Sequence, residues 1–203
     1  MMKHIIWLIL LAFMLHTSAF AFSNEPNGFR GLKWGISIEE FKQAYPNATY
    51  RPPRDIDFAF PPVPTTYLVP ANNSKLSGIP IIKPLEYSFY NNQLEYVHII
   101  LSGEDNFTNY HNQILLLDKM TYMYDEPTCI LDKIDDFGPG DLTDHCCMYE
   151  WEGIITGITM IGSYNDPKHD EAHLSITIYS KEIRDKRLAE QERLKISEYH
   201  SGW

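Results

Sequence analysis

The most constraining feature of this sequence is a predicted β-hairpin between Leu85 and Leu101. Apolar side chains alternate along both arms, at Leu85, Tyr87 and Phe89 in the first and at Val97, Ile99 and Leu101 in the second. The run Asn91-Asn92-Gln93 between the arms is typical of a tight turn. An apolar sheet face needs a cover, and amphipathic segments precede and follow the hairpin. The sequence therefore predicts an α+β fold, with an antiparallel sheet that helices cover on one face.

The first 21 residues have the pattern of a cleaved export signal. Lys3 and His4 give a positive start, an apolar run follows from Ile5 to Leu15, and Ala19-Phe20-Ala21 is a small-x-small cleavage site. The apolar run of about 11 residues is short of the roughly 20 that a membrane-spanning helix needs. No cysteine follows the predicted cleavage site, which disfavours a lipid anchor. We therefore expect a periplasmic or secreted protein without a stable membrane anchor.

The chain is acidic, with 17 basic and 27 acidic residues and a formal net charge of −10. Removing the signal takes away only Lys3 among these, leaving 16 basic against 27 acidic residues and a net charge of −11. This charge disfavours nucleic acid and anionic membranes as partners, because both select clusters of Lys and Arg. It favours solubility, and a cationic protein as a partner.

Length and composition indicate one folding unit. About 180 mature residues are enough for one hydrophobic core without a framework of disulfides. We expect a single α+β domain over residues 22–180, and a charged C-terminal helix and tail over residues 181–203. The apolar stripe of the tail is sparse, so we predict that its helix is largely solvated.

Helices are predicted on both sides of the hairpin. Ser37 and Glu40 have the spacing of a capping box, and Pro46 ends the helix that they start. A longer helix begins near Asn106 and ends at Pro127. Its predicted apolar stripe is Phe107, Tyr110, Ile114, Leu117, Thr121 and Tyr124, widened by Leu115 and Leu116.

The order of predicted elements repeats along the chain. A helix, a loop and antiparallel strands occupy Ser37 to Leu101, and the same order recurs from Asn106 to Tyr179. The second set includes a hairpin bent around Glu152-Gly153. It ends in a strand with Leu174, Ile176 and Ile178 on one face. The sequence thus predicts two similar helix-then-strands units.

A proline-rich segment between Pro46 and Pro84 holds nine of the 13 prolines. Proline removes N–H donors from a strand ladder, so we expect edge or extended pieces here, such as Tyr67 to Val69 and Ile79 to Ile82, and no central strand. One hypothesis is a groove for a partner, lined by Phe58, Phe60, Val63 and Tyr67. The alternative is a stiff loop packed against the sheet edge.

The three cysteines, Cys129, Cys146 and Cys147, are disulfide candidates in an oxidising compartment. A bond from Cys129 to one of the adjacent pair closes a loop of about 17 residues and adds roughly 3 kcal/mol to the free energy of unfolding. Adjacent residues of a strand face opposite sides, so only one of the pair can meet Cys129. The pattern leaves open which one pairs, and a strained bond between the two neighbours is a third option.

Two clusters contain residue types that bind metals. His145-Cys146-Cys147-Met148 offers soft donors suited to Cu(I) or Zn, but adjacent cysteines lack the spacing of a tetrahedral site. His169 and His173 are four residues apart, which is ligand spacing on a helix, but turn residues precede them and a predicted strand follows. The order H-E-x-x-H is absent. We expect no bound metal or other cofactor.

The segment from Phe29 to Gly35, with the residues F-R-G-L-K-W-G, resembles the start of a group of uncharacterised secreted bacterial proteins. Their pattern is a signal peptide, an F-x-G-x-x-W-G start, a short helix and then sheet segments. The run Tyr149 to Gly153 is similar to their second hairpin. More distantly, the repeated helix-then-strands order is similar to the β-lactamase-inhibitor protein and to a small lipoprotein of the outer-membrane assembly machinery. That resemblance implies binding of another protein on the open face of a sheet.

Motifs for catalysis are absent from the sequence. It has no G-x-S-x-G elbow and no phosphate-cradling glycine loop. The leading hypothesis is therefore a periplasmic protein-binding or inhibitory module without enzymatic activity. One alternative is a thiol- or metal-handling protein that uses Cys129, Cys146 and Cys147, and another is an unrecognised hydrolase.

Overall fold

The computed structural model describes residues 25–54, 61–101, 106–127, 129–133, 145–164 and 173–201. The predicted signal, residues 1–21, lies outside these ranges. The strands are β1 (Gly28–Phe29), β2 (Leu32–Lys33), β3 (Thr49–Arg51), β4 (Thr65–Val69), β5 (Lys75–Leu76), β6 (Ile79–Pro80), β7 (Leu85–Tyr90), β8 (Gln93–Leu101), β9 (Cys129–Lys133), β10 (His145–Glu152), β11 (Thr156–Tyr164) and β12 (His173–Ser180). The helices are α1 (Ile38–Ala44), α2 (Asn106–Tyr124) and α3 (Lys181–Ser201). No helix in the described ranges is both long and apolar enough to cross a membrane.

Eight strands form one antiparallel sheet in the order β3-β4-β7-β8-β12-β11-β10-β9. Each half of the sheet follows chain order and has its own preceding helix, with the small ribbon β5-β6 inserted between β4 and β7. The halves meet where their last strands pair, with Val97 opposite Ile178 and Ile99 opposite Ile176. The predicted α+β class and the repeated order of elements are therefore confirmed, and the strand orders of the two halves mirror each other about the β8–β12 pair.

One face of the sheet holds the hydrophobic core. All six alternating residues of the predicted hairpin are at most 1% exposed, namely Leu85, Tyr87, Phe89, Val97, Ile99 and Leu101. Leu174, Ile176 and Ile178 extend this face across β12. Helix α1 covers the first half of the face, and α2 packs on β11 and β12 of the second half. We call this side of the sheet the core face.

Helix α1 begins with the predicted capping box. The Glu40 amide donates a hydrogen bond to the Ser37 hydroxyl at 3.2 Å, and the Ser37 amide donates one to the Glu40 carboxylate at 2.9 Å. Phe41 of this helix is fully buried in an aromatic cluster. Four rings surround it with centroids between 5.1 and 5.7 Å away: Tyr45, Tyr67, Tyr87 and Phe89.

The central hairpin contains a two-residue turn and a bulge. Asn91 and Asn92 have φ values of 49° and 62°, as a tight hairpin turn requires. The residues on either side of Glu95 pair with adjacent residues of β7, so Glu95 itself has no opposite residue. Because of this extra residue, Leu94 and Val97 both face the core although they are three positions apart.

Strand β4 is inside the sheet, whereas the proline-rich segment was predicted to hold only edge or extended pieces and no central strand. It lies between β3 and β7 and pairs with both. Its five residues, Thr65–Val69, fall between Pro64 and Pro70, so no proline interrupts the ladder. The prolines therefore limit the length of the strand without confining it to the edge of the sheet.

The buried face of α2 is rotated from the predicted stripe. Leu116 of the predicted stripe is buried, but so are Gln113 and Met120, which lie outside it. Ile114 and Leu115 of the stripe are 48% and 39% exposed. Gly162 of β11 is the physical reason, because any side chain there would collide with the amide of Gln113. The missing side chain lets Gln113 approach the sheet and turns Ile114 outwards.

Helix α3 is largely solvated, as predicted, but it also has one packed face that the prediction did not include. Ile183 and Gln191 are buried, and Arg187 lies between them at helical spacings of four. The hydroxyl of Tyr90 donates a hydrogen bond to the carboxylate of Glu190. One face of α3 thus packs next to β8 and β12. Arg187 and Glu190 contribute polar contacts to this packing, which an apolar stripe does not reveal.

Candidate functional site

A row of polar side chains crosses the sheet on the side opposite the core. Glu86, His98, Thr177, Thr159 and Glu150 lie directly opposite one another on five neighbouring strands, β7, β8, β12, β11 and β10. Directly opposite residues of antiparallel strands project from the same side. The row therefore defines a second, hydrophilic surface, which we call the polar face.

A cleft of about 390 Å³ opens on the polar face. Its floor consists of Glu86, His98, Thr177 and Thr159 from the row, together with Tyr96 and Tyr179. Arg54, which follows β3, Glu95 of the bulge, and Arg184 and Arg187 of α3 complete its lining. The volume lies within the range of natural ligand sites, and the polar side chains converge on one space. We call this site the polar cleft.

His98 lies near the middle of the cleft floor and is half-buried. Its Nδ1 is 2.9 Å from the hydroxyl oxygen of Thr177, while its Nε2 has no hydrogen-bond partner among the described residues. Burial lowers the pKa of His98 below the usual 6.5, against an upward influence of Glu86, and the positive charges of Arg54 and Arg51 lower it further. The imidazole is therefore neutral at neutral pH and offers one ring nitrogen to the cleft.

A buried ion pair closes one end of the cleft. Nε of Arg187 donates hydrogen bonds to both carboxylate oxygens of Glu95, at 2.7 and 2.9 Å. The Glu95 side chain is only 1% exposed. Burial raises the pKa of the Glu95 carboxyl, and the nearby charge of Arg187 opposes that rise. The ion pair links α3 to the bulge of β8 and holds the part of α3 that lines the cleft in position.

Arg184 forms the other part of the α3 wall. Its guanidinium carbon lies 4.2 Å from the ring centroid of Tyr179, and its Nη1 lies 3.7 Å from Oε1 of Glu150. The hydroxyl of Tyr179 donates a hydrogen bond to the same Glu150 oxygen at 2.9 Å. Burial, and then this hydrogen bond, raise the pKa of Tyr179, so that its hydroxyl remains protonated.

Gly157 makes the position of the Tyr179 ring possible. It lies directly opposite Tyr179 in the pairing of β11 with β12. A Cβ atom at Gly157 would overlap the outer end of the Tyr179 ring. The glycine therefore lets the ring lie flat across β11 and reach Glu150 on the next strand.

Arginine is concentrated at this site. Four of the six arginines in the chain are in or next to the polar cleft, namely Arg51, Arg54, Arg184 and Arg187. Arg51 lies 3.7 Å from the carboxylate of Glu86 at the border of the floor. The cleft is thus a local exception to a chain whose formal net charge is −10. Its donors are suited to hydrogen bonding with an anionic group.

Of the four residues predicted to line a flap groove, the structure describes Val63 and Tyr67. Tyr67 is 8% exposed, and its ring packs in the aromatic cluster around Phe41 on the core face. Val63 is half-buried just before β4. Phe58 and Phe60 lie outside the described residues. The burial of Tyr67 in this cluster argues against its assignment to a binding surface, and the groove itself stays a prediction.

The strand register separates the predicted disulfide partners. Cys129 lies opposite Glu150, while Cys146 and Cys147 lie opposite Lys133 and Asp132. Cys129 is thus three or four strand positions, roughly 10 Å or more, from the residue pairs that contain the other cysteines. A disulfide needs Cα atoms within about 7 Å of each other. A bond from Cys129 to either neighbour would require a different register of β9 against β10, and the pairing stays a prediction.

The weak metal candidates lie at strand ends. His145 begins β10 and His173 begins β12, where they pair with Tyr164 and Ser163 of the intervening strand β11. His169 lies outside the described residues. Within the described part of the chain, no three side chains of His, Cys, Asp or Glu come together as a metal site would require.

Comparison of the chain with protein-family models, with curated proteins and with solved structures finds no match. Its function must therefore be inferred from the geometry of its own residues.

Sequence inspection missed the polar cleft although part of its signal was present. Glu86 and His98 occupy alternate positions of the predicted hairpin, but only the bulge at Glu95 brings them opposite each other. Thr177 joins them through the pairing of β8 with β12, which joins distant parts of the chain. The spacing of Leu94 and Val97 was the available signal for the bulge, since strict alternation does not bury both.

Proposed function

We propose that this chain is an exported protein-binding module, of the inhibitory or adaptor kind and without enzymatic activity, that holds its partner against the polar face. The observation that carries the proposal is the polar cleft, which opens opposite the core face. Helices α1 and α2 both pack on the core face, and α3 reaches the polar cleft only as a wall. The core face of the sheet thus packs against helices and stabilises the fold, and we assign partner binding to the polar face.

The charge of the chain supports a cationic partner. A net charge of −10 attracts a basic protein over long distances and raises the rate of encounter. The arginines of the cleft then select a complementary, acidic point on that partner at short range. Long-range attraction and short-range recognition are thus supplied by different parts of the surface.

The floor of the cleft lacks the arrangement of a hydrolytic triad. In a triad, the nucleophile and the acidic residue bind different nitrogens of the histidine. Here Thr177 occupies Nδ1 of His98, and Glu86 makes no hydrogen bond with the ring among the described contacts. This geometry favours binding over catalysis. The alternative of thiol chemistry gains no support from the register of β9 and β10.

The experiment compares proteins captured from periplasmic extract by the mature chain and by matched variants. Thr159→Arg fills the floor of the cleft, and Arg54→Glu reverses a charge on an exposed residue at its border. Tyr122→Ser is the control, because Tyr122 is 91% exposed and lies on α2, away from the polar face. We expect a basic protein that is retained by the parent and by Tyr122→Ser and is lost by both cleft variants.

Equal retention of the same proteins by all four baits would contradict the proposal. Circular dichroism and the urea midpoint of each variant establish that it is folded. Because Arg54 is exposed, Arg54→Glu gives a valid result even if Thr159→Arg fails to fold.

A further inference from the structure

We propose that the polar cleft binds a carboxylate group, which Arg54 and Arg184 hold above the imidazole of His98. The inference rests on the proposed function, because it assigns the carboxylate to an acidic side chain of the partner protein. It goes further by naming the chemical group that the cleft recognises and the residues that recognise it.

The balance of charge in the lining is the first argument. Three arginines and two glutamates line the cleft, and Glu150 and Arg51 lie 3.7 Å from Arg184 and Glu86 at its border. Glu86 and Glu95 repel a doubly charged phosphate more strongly than a singly charged carboxylate, so the lining favours a monoanion.

The hydrogen-bond donors around the space are the second argument. The guanidinium of Arg184 lies over the face of Tyr179, and its edge still carries N–H donors for a planar carboxylate. Arg54 is exposed on the lining of the cleft. Thr177 occupies Nδ1 of His98, so the other ring nitrogen is the one directed to a ligand. Two guanidinium groups and one imidazole thus converge from three different parts of the chain.

The fixed wall behind these donors is the third argument. Arg187 is held by two hydrogen bonds to buried Glu95 and is not available to a ligand. That ion pair holds α3 in place, and Arg184 is one turn earlier on the same helix. The backbone of Arg184 is therefore already in place before a ligand binds, which reduces the conformational entropy lost on binding.

The test is a nuclear magnetic resonance titration of the full mature chain labelled on its histidine side chains. The His98 signal is assigned by its disappearance in His98→Gln. The probes are N-acetyl-glutamate N-methylamide, which mimics a protein side chain, its uncharged glutamine counterpart, free glutarate and inorganic phosphate. The variants are Arg54→Gln and Arg184→Gln, with Arg193→Gln as the matched control because Arg193 is exposed on α3 and is not part of the cleft lining.

We expect the glutamate probe to shift the His98 signal in a saturable manner, and the glutamine probe to leave it unchanged. Each cleft variant weakens binding by about ten- to a hundredfold, the usual effect of losing a hydrogen bond to a charged group. Arg193→Gln binds like the parent. Equal shifts with glutamine, stronger binding of phosphate, or unchanged affinity in Arg184→Gln would overturn the inference.

The outcomes separate this inference from the proposed function. If capture of a partner depends on the cleft but neither carboxylate probe binds, the carboxylate site is wrong and the proposal of a binding module stands. Carboxylate binding without any captured partner supports the site and contradicts the module. Much tighter binding of glutarate than of the glutamate probe supports carboxylate recognition but overturns its assignment to a protein side chain.

Discussion

The guanidinium of Arg187 donates two hydrogen bonds to the carboxylate of Glu95, across 92 positions of sequence. Glu95 is the extra residue of the β8 bulge, and Arg187 is in the second turn of α3. The ion pair therefore links the C-terminal helix to the centre of the sheet. It also removes the charge of one arginine from the polar cleft.

Loss of Arg187 should destabilise the fold strongly. Arg187→Ala leaves the buried Glu95 carboxylate without its counter-charge, and we expect the free energy of unfolding to fall by about 3–5 kcal/mol. Replacing both residues, as in Glu95→Met with Arg187→Met, should recover most of this loss. Urea denaturation of the mature chain measures both changes. Lys186→Ala is the control, since Lys186 and Glu182 form an exposed pair, and it should change the free energy by less than about 1 kcal/mol.

Gly157→Ala tests the close approach of Tyr179 to β11. The added methyl group overlaps the tyrosine ring, and we expect a loss of about 1–3 kcal/mol in the free energy of unfolding. In a Tyr179→Ala background the same substitution should cost much less, because the ring that it strikes is gone. Thermal or urea unfolding of the four proteins gives the coupling. Equal costs in the two backgrounds would show that the ring is not the obstacle.

Phe41→Ala tests the aromatic cluster under α1. Phe41 is fully buried among four rings, so its truncation leaves a cavity and should lower the free energy of unfolding by about 3–5 kcal/mol. Tyr122→Ala removes an equally large aromatic residue from the exposed side of α2, and we expect a change within about 0.5 kcal/mol. A small effect of Phe41→Ala would contradict the packing described for α1.

His98 should make stability depend on pH in a defined direction. Its pKa is lowered in the folded state by burial, so the unfolded chain binds more protons at pH values below 6.5. The stabilising effect of the neutral ring is complete above that value and is lost as the pH falls towards the lower, folded-state pKa. The difference in unfolding free energy between the parent and His98→Gln should therefore shrink between about pH 7.5 and pH 5.

Taking this difference cancels other titrating groups. Glu95 has a raised pKa and acts with the opposite sign, but it is present in both proteins. The charged groups that act on His98 itself are Glu86, Arg51 and Arg54. A difference that stays constant over the range would mean that the pKa of His98 is the same in the folded and unfolded chains.

Local features of the fold could be predicted from the sequence. The capping box of Ser37 and Glu40, the central hairpin and the repeated order of elements depend on neighbouring residues, and the structure confirms them. The apolar face of β12 follows from simple alternation at Leu174, Ile176 and Ile178.

The remaining features depend on contacts between distant segments. Burial of Gln113 instead of Ile114 depends on a glycine in another strand. Packing of α3 depends on Arg187 meeting Glu95, for which the helix itself carries no apolar signal. The polar cleft depends both on the bulge and on the choice of β12 as the neighbour of β8. These features depend on tertiary contacts, and the periodicity of apolar residues along the sequence does not predict them.

The pairing of β8 with β12 has a consequence for synthesis of the chain. Val97 and Ile178 face each other but are 81 positions apart, so the middle of the sheet is completed only when nearly the whole polypeptide is available. Such a high contact order predicts slow folding. Until β12 pairs with it, β8 is an unpaired edge strand with one apolar face, and such an edge promotes association with other nascent chains. A product truncated before β12 should therefore aggregate, even though its own four-stranded meander is intact.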